Sequence, residues 1–411
     1  MLHFQNLFGK IYYHFMKGDE IMKFTKKIMA VIMAVLMVSC VLSVFASAEA
    51  DTALQFGADG KFQIMMFADS QDDEELEETT VQLMKEALAT YKPDLVVFMG
   101  DNSVAPGEKQ ADAIAAIVAP VVEAGVPFTV VFGNHDQEQG VPNEYLLAEY
   151  QKYPGCLAVD VDPDLYGCGN HNLTILSSDG SKVAFNLWMI DSGTSTAETE
   201  GYDYVREDQI NWYKSTAAAL AAANGGEVVP AMSFQHIIVP EVYDALGMIK
   251  IPFGLAEWTF EGQSYLPIPN FGSFTGYLFE PPCPSHYNGG QFDAWVETGD
   301  VIATFYGHDH INDFTTSWKG IDITTVPTVG CNSYSNDINR GVGLITLDES
   351  DLSTYEYEAL RMYDFALAEG SEILDCDGAL SKFSYQFYKL LDGFLAKLHE
   401  LAAGFSLPVF G

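Results

Sequence analysis

Five polar clusters in this 411-residue chain each follow directly on a short apolar run, and together they hold the side chains that a pair of cations needs. Asp69-Ser70-Gln71 closes the run Phe62–Ala68, Gly100-Asp101-Asn102 closes Leu95–Met99, and Gly133-Asn134-His135-Asp136 closes Phe128–Phe132. His236 follows Ala231–Phe234, and Gly307-His308-Asp309-His310 follows Val301–Tyr306. An aspartate that ends a strand is ordinarily a cap or turn residue, so one cluster alone carries no chemistry. Five in series are different. Two divalent ions about 3.5–4 Å apart require a shared carboxylate flanked by oxygen and nitrogen ligands. Asp101 is the natural bridge.

The apolar runs have the length and the β-branched or aromatic content of buried strands, as do Ala184–Ile190, Ile321–Val326 and Val342–Leu347. Between the first two, Leu76, Thr80, Leu83, Met84, Ala87, Leu88 and Tyr91 recur at spacings of three and four, which predicts a helix packed on a sheet. Ala111–Ala124 and Arg206–Asn224 predict two more. This alternation is that of an α/β protein, whose ligand crevice lies at the carboxyl ends of its strands. The stretch from Pro240 to Gly299 lacks a period and reads as a long excursion of loops that shapes access. After about Leu360 the pattern changes to a separate apolar-striped helix over Leu380–Leu401, which could dock on the body, pair two chains or lie on a membrane surface.

The formal charge of −37, from 20 basic against 57 acidic residues, gives a field that repels polyanions, so no nucleic-acid polymer is expected as a partner. Lys23, Lys26 and Lys27 precede an apolar stretch from Ile28 to Phe45 and then Ala46-Ser47-Ala48, the pattern of a secretory signal. Residues 1–48 are therefore read as extension and signal peptide, 55–360 as the catalytic body and 361–411 as a helical tail. The expected location is secreted or at the cell surface, with the N-terminal or C-terminal helix as a possible membrane contact. None of the six cysteines has zinc-site spacing; Cys156 and Cys168 could pair or stay free.

In order and identity the five clusters resemble the calcineurin-like metallophosphoesterases, with D-x-[HQ], G-D-x, G-N-H-[DE], a lone His and G-H-x-H. Gly307–Asp313, reading G-H-D-H-x-N-D, is similar to the purple-acid-phosphatase-like branch, and Ile190-Asp191-Ser192-Gly193 adds to the match. The resemblance implies a four-layer αββα sandwich of two mixed β-sheets, the metallo-dependent phosphatase fold, with a C-terminal helical appendage. It implies one metal held by Asp69, Gln71, Asp101 and His310 and a second held by Asp101, Asn134, His236 and His308, with His135 as general acid and Asp136 orienting its ring. Two divalent ions of manganese, iron or zinc are the expected cofactors. Gln71 stands where most relatives have His, which favours a harder ion. Asn102-Ser103-Val104 after Asp101 lacks the tyrosine that binds iron(III) in purple enzymes, so a colourless protein is implied. Asp309 and Asp313 are either supports for the last ligands or solvated loop acids, and His171 is structural. The implied activity is hydrolysis of a small phosphorylated metabolite or nucleotide; a phosphodiesterase or nucleotide pyrophosphatase, and a non-catalytic secreted binding module, are the alternatives.

Overall fold

A computed structural model of the protein describes residues 53–138, 140–196, 201–252, 254–256, 258–270, 272–369 and 382–403. The expected signal peptide lies outside the described residues. From Leu54 onward the chain forms one compact unit.

Strands β1 (Leu54–Gln55), β2 (Lys61–Phe67), β3 (Leu95–Met99), β4 (Phe128–Val131), β5 (His171–Leu176), β6 (Val183–Met189), β7 (Ala231–Phe234), β8 (Thr275–Leu278), β9 (Val301–Tyr306), β10 (Asn312–Trp318), β11 (Ile321–Thr325), β12 (Gly341–Asp348) and β13 (Glu356–Arg361) build two sheets. One runs β13-β12-β2-β3-β4, the other β1-β5-β6-β7-β9-β11-β10-β8. Both are mixed: β2, β3 and β4 pair in parallel and β12 is antiparallel to β2, while β6, β7, β9 and β11 are parallel and β5, β10 and β8 join antiparallel.

Period-two alternation decides which side chain faces where. From β2 and β3, Ile64, Met66, Val97 and Met99 meet Phe185, Leu187, Phe234 and Phe305 between the sheets. Met65, Phe67, Val96 and Phe98 face the other way. There they pack on helices α1 (Glu78–Tyr91), α2 (Gln110–Ala124) and α3 (Asn143–Tyr150). The second sheet is covered by α4 (Glu207–Ala223), α5 (Val242–Leu246) and α6 (Gln291–Thr298), through Tyr213, Leu246 and Trp295. The result is the expected αββα layering.

The stretch from Pro240 to Gly299 is not a run of bare loops. It carries α5, α6, the edge strand β8 and a three-stranded ribbon of Lys250–Ile251, Gln263–Tyr265 and Thr259–Phe260. Its aromatic residues fill the outer core, which is why no period shows: Tyr243 stacks on Phe260 and packs against Tyr265. The boundary drawn after Leu360 also needs correction. Arg361 ends β13 and touches Asp313, and α7 (Met362–Ala366) buries Met362, Tyr363 and Phe365 in the core. The last helix, α8 (Lys382–Ala403), is docked on the body: Asp392 accepts hydrogen bonds from the hydroxyls of Tyr277 and Tyr363 at 2.5 and 2.6 Å, and Tyr385 is buried. Among the described residues no helix is long and apolar enough to cross a membrane. Cys156, Cys168 and Cys283 are free thiols, and Cys331 is disulfide-bonded.

Asp191, at the end of β6, ties the second sheet to the loop before β5. Its carboxylate accepts from the Cys168 and Gly193 amides at 2.8 and 2.9 Å, and Gln209 of α4 donates to its carbonyl at 2.7 Å. Burial pushes its pKa up to about 6, with those hydrogen bonds opposing. A carboxyl raised in the folded state binds its proton more tightly there, so its contribution is complete below the unfolded value near 4 and is lost as pH rises through about 6. Metal-free protein should lose about 3 kcal/mol of stability from this residue over that window. Urea unfolding in chelator at several pH values checks this: Asp191→Asn should flatten the fall, and an unchanged slope would refute it.

Candidate metal centre

The parallel strands β2 and β3 of the first sheet, and β7 and β9 of the second, deliver their carboxyl ends to one place. Asp69, Asp101, His236, His308 and His310 are all buried there. Asp101, His236 and His308 form one group, and Asp69, Asp101 and His310 another, with the candidate ligand atoms of each within 4.8 Å of one another. Asp101 belongs to both, as a bridging carboxylate must.

The local backbone is bent to make this possible. Among the described residues seven non-glycine residues have positive φ, and four of them are Asp69, Gln71, Asp101 and His308. Each such conformation costs roughly 1–3 kcal/mol and concentrates where a side chain must be aimed against the ordinary strand direction. Glycine enters for a related reason. A Cβ on Gly133 would sit 2.1 Å from Asp101 Oδ1, and one on Gly100 would sit 2.6 Å from His236 Nδ1.

Hydrogen bonds on the far side of each ring fix which nitrogen faces inward. His236 Nδ1 bonds to the Met99 carbonyl at 2.9 Å, and His310 Nδ1 to the Tyr334 carbonyl at 2.8 Å. That leaves His236 Nε2 3.0 Å from Asp101 Oδ2 and His310 Nε2 3.5 Å from Asp69 Oδ1. Asp69 is held by the His308 amide at 3.1 Å, and Asp101 by the His135 amide at 2.7 Å.

The donor set fits divalent cations. His308 Nε2 and Asn134 Oδ1 are buried without a hydrogen-bond partner in the protein, and an orphaned buried polar atom is costly unless something else satisfies it. Gln71 lies in the same cluster, its Nε2 donating to Asp101 Oδ2 at 3.1 Å, so the amide must turn over to present its oxygen. Asn332 donates to the Gln71 main-chain carbonyl at 2.9 Å and braces the left-handed backbone there.

Electrostatics agree. Burial pushes Asp69 above the ordinary carboxylate range, and Asp101 adds to this while His310 and His236 oppose it. Burial acts on Asp101 in the same sense, but His236, His135 and His308 outweigh it and hold Asp101 below that range. Burial would lower His236; Asp101 prevails and raises it to about 10, so a proton occupies the position that faces both carboxylates. His308 is lowered to about 3 by burial and by the neighbouring His236.

All nine residues singled out from the sequence lie in or against this centre, but one assignment changes. Asp136 does not orient the His135 ring. Its carboxylate accepts from the amides of Asn102, Ser103 and Gly133, locking the loops after β3 and β4 together. The ring partner is Glu138, whose Oε2 is 2.5 Å from His135 Nδ1. Sequence reading missed it because Glu138 lies outside the repeated motif; only its position one helical turn after His135 hints at contact. Asp309 and Asp313 are buried, not solvated: Asp309 accepts from the Cys283 amide, and Asp313 meets Arg361. His171 is structural, bonded to Gly169 and Thr129.

The family model for calcineurin-like phosphoesterases matches residues 62–312. The probable inactive purple acid phosphatase 14 of Arabidopsis thaliana is 30% identical over 318 residues, 68% of this chain and 73% of that protein. The probable inactive purple acid phosphatase 29 of the same plant is 28% identical over 68% of this chain and 75% of its own length. Among solved structures, a dimetal phosphatase from Danio rerio aligns with TM-score 0.48 and 13% identity over 73% of this chain and 96% of that one.

Because Asp101 is shared, its loss should remove both cation sites, whereas loss of His310 should remove one. In calorimetry on chelator-treated protein, manganese at about 100 times its dissociation constant should stabilise the wild type by about 2.7 kcal/mol per site. His310→Ala should keep one step and Asp101→Asn none. Binding must displace the His236 proton, so affinity should weaken as pH falls below about 10, with proton release in dilute buffer. Two intact steps in Asp101→Asn would contradict a shared ligand.

Proposed function

The chain belongs to the calcineurin-like phosphoesterase family, in its purple-acid-phosphatase-like branch, and from that premise we propose that it is an exported phosphoester hydrolase acting on small phosphorylated metabolites or nucleotides. The observation that carries this reading is the pair of buried ligand groups meeting at Asp101. Divalent ions bound there by Asp69, Gln71, Asp101 and His310, and by Asp101, Asn134, His236 and His308, would supply charge neutralisation at phosphoryl oxygens and acidify water.

The remaining work falls to the chain's own residues. His135 is half-exposed, and its Nε2 is 4.0 Å from Asp101 Oδ2, so it stands beside the centre without being closed inside it. Glu138 holds its Nδ1 and, with Asp101, raises its pKa above the usual histidine value although burial opposes this. A protonated His135 donates from Nε2 to the departing oxygen. The Asp136 clamp keeps Asn134, His135 and Asp101 in register, and the Thr194 hydroxyl donates to the Asn134 carbonyl at 3.0 Å. Two relatives carry the word inactive in their names. In this chain the candidate ligand set is complete, which supports catalysis over a purely binding role. The signal-like run at Lys23–Ala48 supports export.

Hydrolysis of p-nitrophenyl phosphate and its bis ester by metal-stripped protein resupplied with manganese tests the proposal. The monoester should turn over faster, Asp101→Asn should abolish activity, and His135→Ala should lower kcat by about 10²–10⁴-fold on an alkyl phosphate such as glycerol phosphate and by less on the p-nitrophenyl esters, whose leaving group needs little protonation. No turnover of either ester with any divalent ion would overturn it.

A further inference from the structure

Tyr334 is an aromatic residue at the centre that the motifs do not contain. Its ring lies parallel to the His310 imidazole, 3° apart in tilt and 4.3 Å between centroids. The tyrosine is nevertheless 59% exposed. With one face against His310, the exposed area belongs to the other face and the edges. The ring is also fixed at base and tip. Its carbonyl accepts from His310 Nδ1, and its hydroxyl donates to Glu280, whose Oε1 in turn accepts from the Ile311 amide at 3.0 Å. The loop beneath is pinned where the Cys331 amide donates to Thr80 Oγ1 and Asn332 donates to the Gln71 carbonyl, both at 2.9 Å.

Holding His310 does not by itself call for an aromatic side chain, because the hydrogen bond that sets the imidazole tautomer comes from the main chain of residue 334. A rigid exposed ring has a second physical consequence: a flat, π-rich surface next to the reacting centre that needs no further ordering when a flat group lies on it. The geometry points to Tyr334 as a stacking platform for the leaving group, making the favoured substrates phosphoesters whose leaving group is an aromatic ring. What the platform serves rests on the hydrolase reading; the stacking itself does not.

Phosphonates, which bind without being hydrolysed, separate the two. Calorimetric titration of manganese-loaded full-length protein with phenylphosphonate and methylphosphonate should show the phenyl compound bound about tenfold tighter, in keeping with aromatic stacking worth roughly 1–3 kcal/mol. Tyr334→Leu should bring the two ligands to near-equal affinity with methylphosphonate binding unchanged, and Tyr334→Phe should keep the preference. The inference is overturned if the wild type shows no preference, if Tyr334→Leu retains it, or if Tyr334→Leu weakens both ligands equally, since Tyr334 would then act only as a support for His310. Preference for the phenyl ligand without hydrolysis of phenyl phosphate would uphold the platform and sink the hydrolase reading.

Discussion

Asp69 and Asp101 are each about 1% exposed, lie in one pocket, and have imidazoles as their ion-pair partners. Two carboxylates brought together in a low-dielectric interior repel one another and lose their hydration, and neither penalty is met by a lysine or arginine in those pairs. The rest of the centre answers this constraint. Gly100 and Gly133 leave room for side chains that press on the backbone, and four candidate ligands accept a left-handed conformation. His236 takes up a proton in the absence of a cation. A site that must borrow a proton to tolerate its own charges is built for something more positive.

The same constraint explains why the supports are buried and polar. The Asp136 carboxyl is pushed up to about 7 by burial and by the charge of Asp101, yet it still gathers three amides from two loops. Those bonds set the spacing of β3 and β4 at their carboxyl ends, where a small displacement would misplace both Asp101 and His135. On the other sheet, the Ser192 hydroxyl accepts from the Ile237 amide at 2.9 Å, next to His236, so the Asp191 segment anchors that ligand's loop as well. Each sheet thus carries half of the centre and a buried polar brace for its half.

Much of this was legible from residue order. Strands buried on both faces, such as β3, read as continuous apolar runs, and their boundaries were recovered closely because Gly-Asp or Gly-Asn follows at once. The clustered carboxylates and imidazoles were legible because they stand directly at strand ends, whatever the intervening sequence. The elements missed are those with weak apolar signal. β10, reading NDFTTSW, is polar although none of it is exposed, its Asn312 side chain being tied up in hydrogen bonds, and β13, reading EYEALR, is an edge strand that exposes Glu356 and Glu358, so neither forms an apolar run. The partner of His135 and the ring on His310 were illegible for another reason. Glu138 and Tyr334 belong to loops whose path is set by packing, and nothing in their own sequence says what they touch.

The whole centre depends on one carboxylate, Asp101, joining two cation sites. Electron paramagnetic resonance of manganese-titrated protein tests it most directly, because two manganese ions sharing a carboxylate are magnetically coupled and isolated ions are not. A shared Asp101 should give a coupled two-ion spectrum at two equivalents that disappears in Asp101→Asn. Uncoupled single-ion signals at every ratio in the wild type would contradict it.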